Sequence, residues 1–144
     1  MKVTDRVTKR VLNLEVLNLM SVFSKVTRIN AKDCIEMNGR LTFIVDESMA
    51  GKAIGKKGIN VKILERELKK KIKVVEFNSN TIEFIRNLVY PNKINEITEE
   101  NNIYTIMPAD SMSRSMLIGR NAVNLRGYES IVRRFFNVTE LKVK

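Results

Sequence analysis

The sequence repeats itself at a fixed offset of 64 residues. Gly55 aligns with Gly119, and around this pair apolar residues match apolar ones and basic residues match basic ones. The matched pairs are Ile54 with Ile118, Asn60 with Asn124, Val61 with Leu125, Leu68 with Val132, Ile72 with Phe136, Val74 with Val138, Lys69 with Arg133, and Lys70 with Arg134. This period is too long for a solenoid repeat, so it indicates a duplicated small domain. A chain of 144 residues can accommodate two such domains.

Each half of the chain predicts the same order of elements, α-β-β-α-α-β. The first half predicts a helix over 14–25, strands over 34–37 and 41–45 joined by an Asn38-Gly39 turn, a short helix over 48–53 with Ser48 as N-cap, a helix over 58–71 and a strand over 73–77. The second half predicts a helix over 81–89 that Pro91 ends, strands over 93–98 and 102–107 around a Glu-Glu-Asn turn, helices over 111–117 and 123–135, and a strand over 138–143. We therefore predict an α+β fold with two domains, residues 1–77 and 78–144, each with a three-stranded sheet.

The composition excludes most catalytic chemistry. The chain has no histidine, which removes Ser-His-Asp and Cys-His catalysis and imidazole metal sites. Its single cysteine, Cys34, allows neither an internal disulfide nor a cysteine zinc site, and no paired-acid motif is present. We predict a protein that is not an enzyme and binds no metal or cofactor. Without an apolar run of membrane-spanning length or a signal peptide, the expected location is cytoplasmic, away from membranes.

The net charge of +10 is unevenly distributed. Residues 51–75 carry nine basic and two acidic residues, and residues 114–144 carry seven and two. Residues 76–113, between these basic blocks, carry two basic and six acidic residues. A charged run is most often a solvated helix face. Because both blocks coincide with the repeated glycine motif, we favour a two-part surface for a polyanion.

The motif in the first repeat, Gly55-Lys56-Lys57-Gly58, predicts a short turn between two helices. Neither glycine has a Cβ, so the backbone can approach a ligand closely. The helix that follows presents its unpaired N–H groups and positive dipole end at the same place. The two lysines add charge, and such a turn suits the phosphate backbone of a single-stranded nucleic acid.

The second repeat reads Gly119-Arg120-Asn121-Ala122, with alanine in the place of the last glycine. We expect Ala122 to occupy a helical first-turn position, which alanine tolerates well. Its methyl group would then stand where backbone meets phosphate. Arg120 and Asn121 retain the ability to bond phosphate or a base edge, so we expect a weakened or altered site. The alternative is a degenerate unit that serves only in packing.

An α-β-β-α-α-β unit with Ile-Gly-x-x-Gly between its last two helices resembles the type II, or prokaryotic, KH domain. Two such units in tandem resemble the archaeal NusA-like transcription termination and antitermination factors. The stretches that carry the resemblance are Asp33-Cys34, Ala53-Ile54-Gly55-Lys56-Lys57-Gly58 with Asn60-Val61-Lys62, Lys73-Val74-Val75-Glu76-Phe77, and Glu83-Phe84-Ile85-Arg86-Asn87 with Pro91. The resemblance covers roughly residues 14–143.

The resemblance implies a groove that holds about four nucleotides, with the RNA backbone against the turn and the bases on an apolar floor. In the first repeat this assigns Gly55 to Gly58 to the phosphates, Ile54, Val61 and Ala53 to the floor, and flanking positions to Lys52 and Lys62. The full set of RNA-binding residues implied is Lys52, Ala53, Ile54, Gly55, Lys56, Lys57, Gly58, Val61, Lys62, Ile118, Gly119, Arg120, Asn121, Ala122 and Asn124.

The function implied is non-enzymatic binding of single-stranded RNA during transcription elongation, termination or antitermination, with the nascent transcript and RNA polymerase as partners. One alternative is a ribosome assembly factor that binds ribosomal RNA, which shares every feature described above. Another is a protein-docking module whose KH folds have lost RNA binding. The altered second turn favours this last alternative, and the lysine-bearing first turn opposes it.

Overall fold

The predicted order of elements occurs twice in the structure, a computed structural model that describes residues 2–144, with side chains from residue 14 onward. The chain divides into a first unit, Met1–Glu76, and a second unit, Phe77–Lys144. Each unit contains one three-stranded sheet, so the predicted α+β fold class is confirmed. The predicted boundary after residue 77 lies one residue from this division. The assignment of the units as separate domains stays a prediction.

The first unit places three helices on one face of its sheet. Its elements are α1 (Lys2–Thr27), β1 (Asp33–Met37), β2 (Arg40–Val45), α2 (Ala50–Ile54), α3 (Ile59–Leu68) and β3 (Lys71–Glu76). The sheet order is β1-β2-β3, with β1 antiparallel and β3 parallel to the central strand. Leu41, Phe43 and Val45 alternate along β2 into a core that also contains Phe23 of α1 and Leu64 of α3. The rings of Phe23 and Phe43 stack with centroids 4.4 Å apart.

The second unit has the same connectivity. Its elements are α4 (Thr81–Val89), β4 (Ile94–Glu100), β5 (Ile103–Pro108), α5 (Ser111–Ile118), α6 (Val123–Arg133) and β6 (Glu140–Val143). The sheet order is β4-β5-β6, again with an antiparallel and a parallel pair. Fully buried side chains come from every layer, and they include Phe84, Ile106, Leu117, Ile131 and Leu141. Among the described residues, no helix is both long and apolar enough to cross a membrane.

Both hairpins use turns in which the two central residues have positive φ. Asn38 (φ 54°) and Gly39 (φ 75°) connect the paired residues Met37 and Arg40, as the Asn-Gly signal predicts. In the second unit the turn consists of Asn101 (φ 54°) and Asn102 (φ 64°), so the predicted Glu-Glu-Asn turn is displaced by one residue. Asparagine adopts the left-handed region more readily than most residues, which explains its use at these positions.

Several predicted element boundaries are wrong. Helix α1 begins at Lys2 rather than 14, because neither glycine nor proline interrupts it before its end. Ser48 is not an N-cap, since it has φ 69° and α2 begins two residues later, at Ala50, without a side-chain cap. Helix α3 ends at Leu68 because Lys69 turns left-handed, and this allows β3 to pair with β2 from Lys71 onward.

The 64-residue offset also fails after the last helix of each unit. In the first unit two residues separate α3 from β3, whereas in the second unit six residues separate α6 from β6. The sequence alignment of Ile72 with Phe136 therefore does not describe equivalent places. Leu141 takes the structural position of Ile72, because each pairs with the second residue of its neighbouring strand, Tyr104 and Leu41 respectively.

Lys73 of β3 lies on the face of the sheet opposite to the core, because its neighbours Ile72 and Val74 point into the core. It is partly buried there, beside Arg40. Burial, and to a smaller extent the positive charge of Arg40, lower the pKa of Lys73 from 10.5 to about 8. Below pH 8 the folded protein therefore carries a charge that its surroundings disfavour.

We expect Lys73→Met to raise the free energy of unfolding below pH 8 by about 2 kcal/mol through removal of this charge. Between about pH 8 and 10.5 the unfolded state binds more protons than the folded state at Lys73, so the stability of the wild type rises with pH. The difference in the free energy of unfolding between Lys73→Met and the wild type should therefore become smaller as the pH rises from 8 to 10.5. Urea unfolding at a series of pH values measures this difference. An advantage that does not change with pH would contradict this account of Lys73.

Candidate nucleic-acid interface

The turn between α2 and α3 has a glycine with positive φ at each end. Gly55 ends α2 with φ 82° and ψ 166°. A single 3-10 turn follows, in which Lys57 (φ 55°) and Gly58 (φ 73°) are both left-handed. The Gly58 N–H donates to the Gly55 carbonyl at 3.0 Å, which closes the turn. Helix α3 begins at the next residue, so its N-terminal N–H groups and its positive dipole end lie at this turn.

The backbone dihedral angles of the turn in the second unit are close to those of the first turn. Gly119 has φ 73° and ψ 175°, Asn121 has φ 55° and ψ 32°, and Ala122 has φ 60° and ψ 24°. The Ala122 N–H donates to the Gly119 carbonyl at 3.2 Å, as in the first turn. The expectation that Ala122 occupies a helical position is therefore wrong. The geometry of a glycine pair is retained here with an alanine in a left-handed conformation.

A left-handed alanine is strained by about 1 kcal/mol. We expect Ala122→Gly to stabilise the protein by up to about 1 kcal/mol in urea unfolding, because glycine adopts this φ without steric cost. The matched variant is Gly58→Ala, which should destabilise by a similar amount through backbone strain alone, since a Cβ at Gly58 would meet no atom within 4 Å. Unchanged stability in both variants would mean that alanine is not strained at this position of the turn.

In each unit an asparagine after the turn forms a hydrogen bond to the helix that precedes the turn. Nδ2 of Asn60 donates to the Lys52 carbonyl at 3.5 Å, and Nδ2 of Asn124 donates to the Met116 carbonyl at 2.8 Å. Each asparagine lies so close over the first glycine that a Cβ there would be 3.0 Å from Asn60 Cγ or 2.7 Å from Asn124 Cγ. The first glycine is therefore needed for side-chain packing as well as for its φ. The repeat pairs these two asparagines in sequence, but their structural role was missed.

The predicted residues of the first turn form one continuous surface, with one exception. The four lysines of the motif are exposed, and none of them forms an ion pair among the described residues: Lys52, Lys56, Lys57 and Lys62. Ile54, Gly55, Gly58 and Val61 are half-buried beside them. Ala53 is 0% exposed and belongs to the core, so its assignment to the floor under the bases is wrong.

The surroundings of the second turn differ in charge and polarity. Arg120 and Asn121 are exposed, while Ile118, Gly119, Ala122 and Asn124 are half-buried. Met116 stands in the place of Lys52 and is 57% exposed, next to Met112 at 76% and Val123 at 48%. Arg126, in the place of Lys62, is paired with Glu129 at 2.9 Å. The second turn therefore offers less unpaired positive charge and more apolar surface than the first.

A carboxylate on the last helix of each unit fixes the strand that follows. Oε2 of Glu65 accepts the backbone N–H of Ile72 at 3.1 Å, and Oε2 of Glu129 accepts that of Leu141 at 2.9 Å. These two glutamates are 64 residues apart, and each lies in a stretch that is rich in basic residues. They hold the last strand of each sheet against the helix that begins at the turn.

Relatives of the chain come from several archaea. A protein from Methanocaldococcus jannaschii named "Probable transcription termination protein NusA" is 28% identical over 135 residues, which cover 92% of this chain and 74% of that relative. A protein of the same name from Thermoplasma acidophilum is 25% identical over 133 residues, covering 90% of this chain and 92% of the relative. Another from Methanococcus vannielii is 29% identical over 135 residues, covering 92% and 78%. No protein-family model matches the chain.

A solved structure is similar to about the same share of the chain as these relatives are. The crystal structure of a protein called APE1850 is 31% identical to this chain and superposes with a TM-score of 0.71, covering 91% of this chain and 99% of its own. Both kinds of similarity extend across the two units and both turns. The resemblance inferred from the sequence is thus confirmed, and the chain is an archaeal NusA-like protein.

Proposed function

We propose that this chain is a non-enzymatic factor that binds single-stranded RNA and acts in transcription elongation and termination. The observation that carries the proposal is the first turn, where a glycine-bounded backbone, a helix N-terminus and four exposed lysines occur together. The names of the relatives, which are called probable transcription termination proteins, support the setting. The nascent transcript is the RNA in this proposal, and RNA polymerase is the expected protein partner.

The RNA backbone lies against residues 55–58 in this proposal. Gly58 has open space where a Cβ would stand, so a phosphate can approach its Cα. The lysine ammonium groups and the dipole of α3 attract the phosphates, and half-buried Ile54 and Val61 meet the bases. Because no ring side chain flanks the turn, aliphatic contact and hydrogen bonds hold the bases.

In this proposal the second turn also contacts RNA, but more weakly than the first turn. Its backbone geometry matches the first, and Arg120 and Asn121 are exposed to reach a phosphate or a base edge. Asn124 acts here as the residue that positions the turn, because its amide is bonded to the Met116 carbonyl. We assign to this unit the weaker of two RNA contacts.

The test is fluorescence anisotropy of a labelled twelve-nucleotide RNA of mixed sequence, with single-stranded DNA and duplex RNA as competitors. We expect single-stranded RNA to bind best. Its log K should fall with log salt by about 0.7 for each phosphate contacted. Absence of binding, or a flat salt dependence, would contradict a site built on backbone phosphates.

A second candidate function, docking of another protein, is favoured for the second unit by the exposed side chains of Met112, Met116 and Val123. Flexible methionines on a surface suit contact with varied apolar partners. Replacing both methionines by serine separates the two functions. Retained RNA affinity with lost capture of purified RNA polymerase would support docking, and the reverse would support RNA contact. Sequencing of RNA crosslinked in cells distinguishes nascent transcripts from the ribosomal RNA of the assembly-factor alternative.

A further inference from the structure

Three cations lie together on the face of the first unit's sheet that points away from its helices. Leu41, Ile72 and Val74 point from β2 and β3 into the core. Their neighbours along the strands therefore point to the opposite face, since side chains alternate along a strand: Arg40, Lys71 and Lys73. Arg40 and Lys71 are direct cross-strand partners, and Lys73 follows Lys71 on the same face. We call these three residues the sheet patch.

Acidic side chains do not neutralise the charges of Arg40 and Lys71 within the described part of the chain. Neither residue forms an ion pair there, whereas adjacent Lys70 is bonded to Glu36 at 2.5 Å. Arg40 contributes to the lowered pKa of Lys73, which reports the positive potential at this place. Like charges directly opposite each other in a sheet are destabilising. The fold thus retains a repulsive arrangement that an anion would relieve.

The patch belongs to the first unit alone. The strand pair that corresponds to Arg40 and Lys71 is Ile103 with Glu140 in the second unit. An apolar residue and an acid there give no anion site. The positive patch is therefore not a by-product of the repeated fold, and it lies in the unit whose turn carries the four lysines.

The sheet patch lies past the C-terminal end of α3, which is the end of that helix farther from the turn. Helix α3 has ten residues, which at about 1.5 Å per residue separate its two ends by about 15 Å. Strand β3 begins just after that far end and forms the edge of the sheet. A KH turn clamps about four nucleotides, so the patch is out of reach of the nucleotides at the turn and within reach of a longer strand.

We infer that Arg40, Lys71 and Lys73 form a second phosphate-binding patch, which takes the backbone of the same RNA strand outside the nucleotides held at the turn. The inference rests on the proposed RNA-binding function and extends it to the length of RNA recognised. Contact at the patch is with phosphates, so it adds affinity and salt dependence without base preference.

The test compares a four-nucleotide with a twelve-nucleotide RNA by anisotropy at low salt. Arg40→Gln with Lys71→Gln should weaken binding of the longer RNA about 5- to 10-fold. It should also reduce the salt slope for that RNA by about 1.4, because two phosphates are no longer neutralised. Binding of the four-nucleotide RNA should stay unchanged. Lys71→Gln alone, at an exposed position, should give about half of the change in slope.

The matched control is Lys25→Gln with Arg28→Gln, which removes two exposed cations, one in the last turn of α1 and one just after that helix. An equal loss of RNA affinity in this control would overturn the proposed patch. So would a loss in the Arg40→Gln, Lys71→Gln variant that is equal for both RNA lengths, or no loss of its affinity for the longer RNA. In those cases the wild type still binds RNA, so the proposed function survives. Failure of the wild type to bind either RNA would instead overturn the proposed function, and the patch with it.

Discussion

Replacement of Lys56 and Lys57 by aspartate is expected to weaken RNA binding on the order of 100-fold at low salt. Both side chains are exposed at the turn, and neither forms an ion pair among the described residues. Two attractive charges become two repulsive ones at the place where the phosphates lie. The measurement is anisotropy with the twelve-nucleotide RNA, accompanied by circular dichroism and urea unfolding.

The substituted protein should remain folded, which makes the loss interpretable. Lys57 has φ 55°, a conformation in which aspartate occurs more often than lysine. The matched control is Lys25→Asp with Arg28→Asp, which makes the same change in net charge at Lys25 in the last turn of α1 and at Arg28 just after that helix. Arg120→Asp with Asn121→Asp tests the second turn and should cost less affinity. Unchanged RNA affinity in a folded Lys56→Asp, Lys57→Asp variant would remove the first turn from the binding site.

The repeat in the sequence predicted the layout of the turns because it preserves the residues that set backbone geometry. Gly55 and Gly119 align at an offset of 64, and both have positive φ and extended ψ. The Asn-Gly signal likewise predicted the first hairpin, since few residue pairs adopt positive φ twice in succession. The sequence alone therefore predicted these turns, because their geometry depends on residues that tolerate left-handed φ.

Features that depend on three-dimensional neighbours were missed. Alanine has a high helix propensity, so nothing in the sequence indicated that Ala122 copies the left-handed conformation of Gly58. The five-residue helix α2 is too short for a periodicity that would show Ala53 to be buried. The packing of Asn60 over Gly55 is visible only when the turn brings them together.

A large loss of stability is expected from substitution of Glu129, because removal of its carboxylate leaves the buried Leu141 N–H without its acceptor and breaks two ion pairs. Glu129 is 5% exposed on α6, and its Oε2 accepts from Arg126 at 2.9 Å and from the Leu141 backbone N–H at 2.9 Å, while its Oε1 forms an ion pair with Arg133 at 3.4 Å. Leu141 itself is fully buried, so its N–H could not turn to water after the loss.

We expect Glu129→Ala to lower the free energy of unfolding by about 3 kcal/mol. Glu129→Gln keeps an oxygen for the Leu141 N–H but loses the charge, so it should cost about half as much. Glu65→Ala is the matched variant in the first unit. Glu65 is half-buried, and the hydrogen bond that it accepts from Ile72 is worth about 1 kcal/mol.

Urea unfolding of the three variants distinguishes a network from a set of surface ion pairs. The two arginines are each 48% exposed, so ion pairing alone would make Glu129→Ala and Glu129→Gln equally mild. A larger loss for alanine than for glutamine assigns the main role to the buried hydrogen bond that anchors β6. That result would explain why a glutamate recurs at this position in both units, within stretches that are rich in basic residues, since each one fixes the last strand to the helix that starts at the turn.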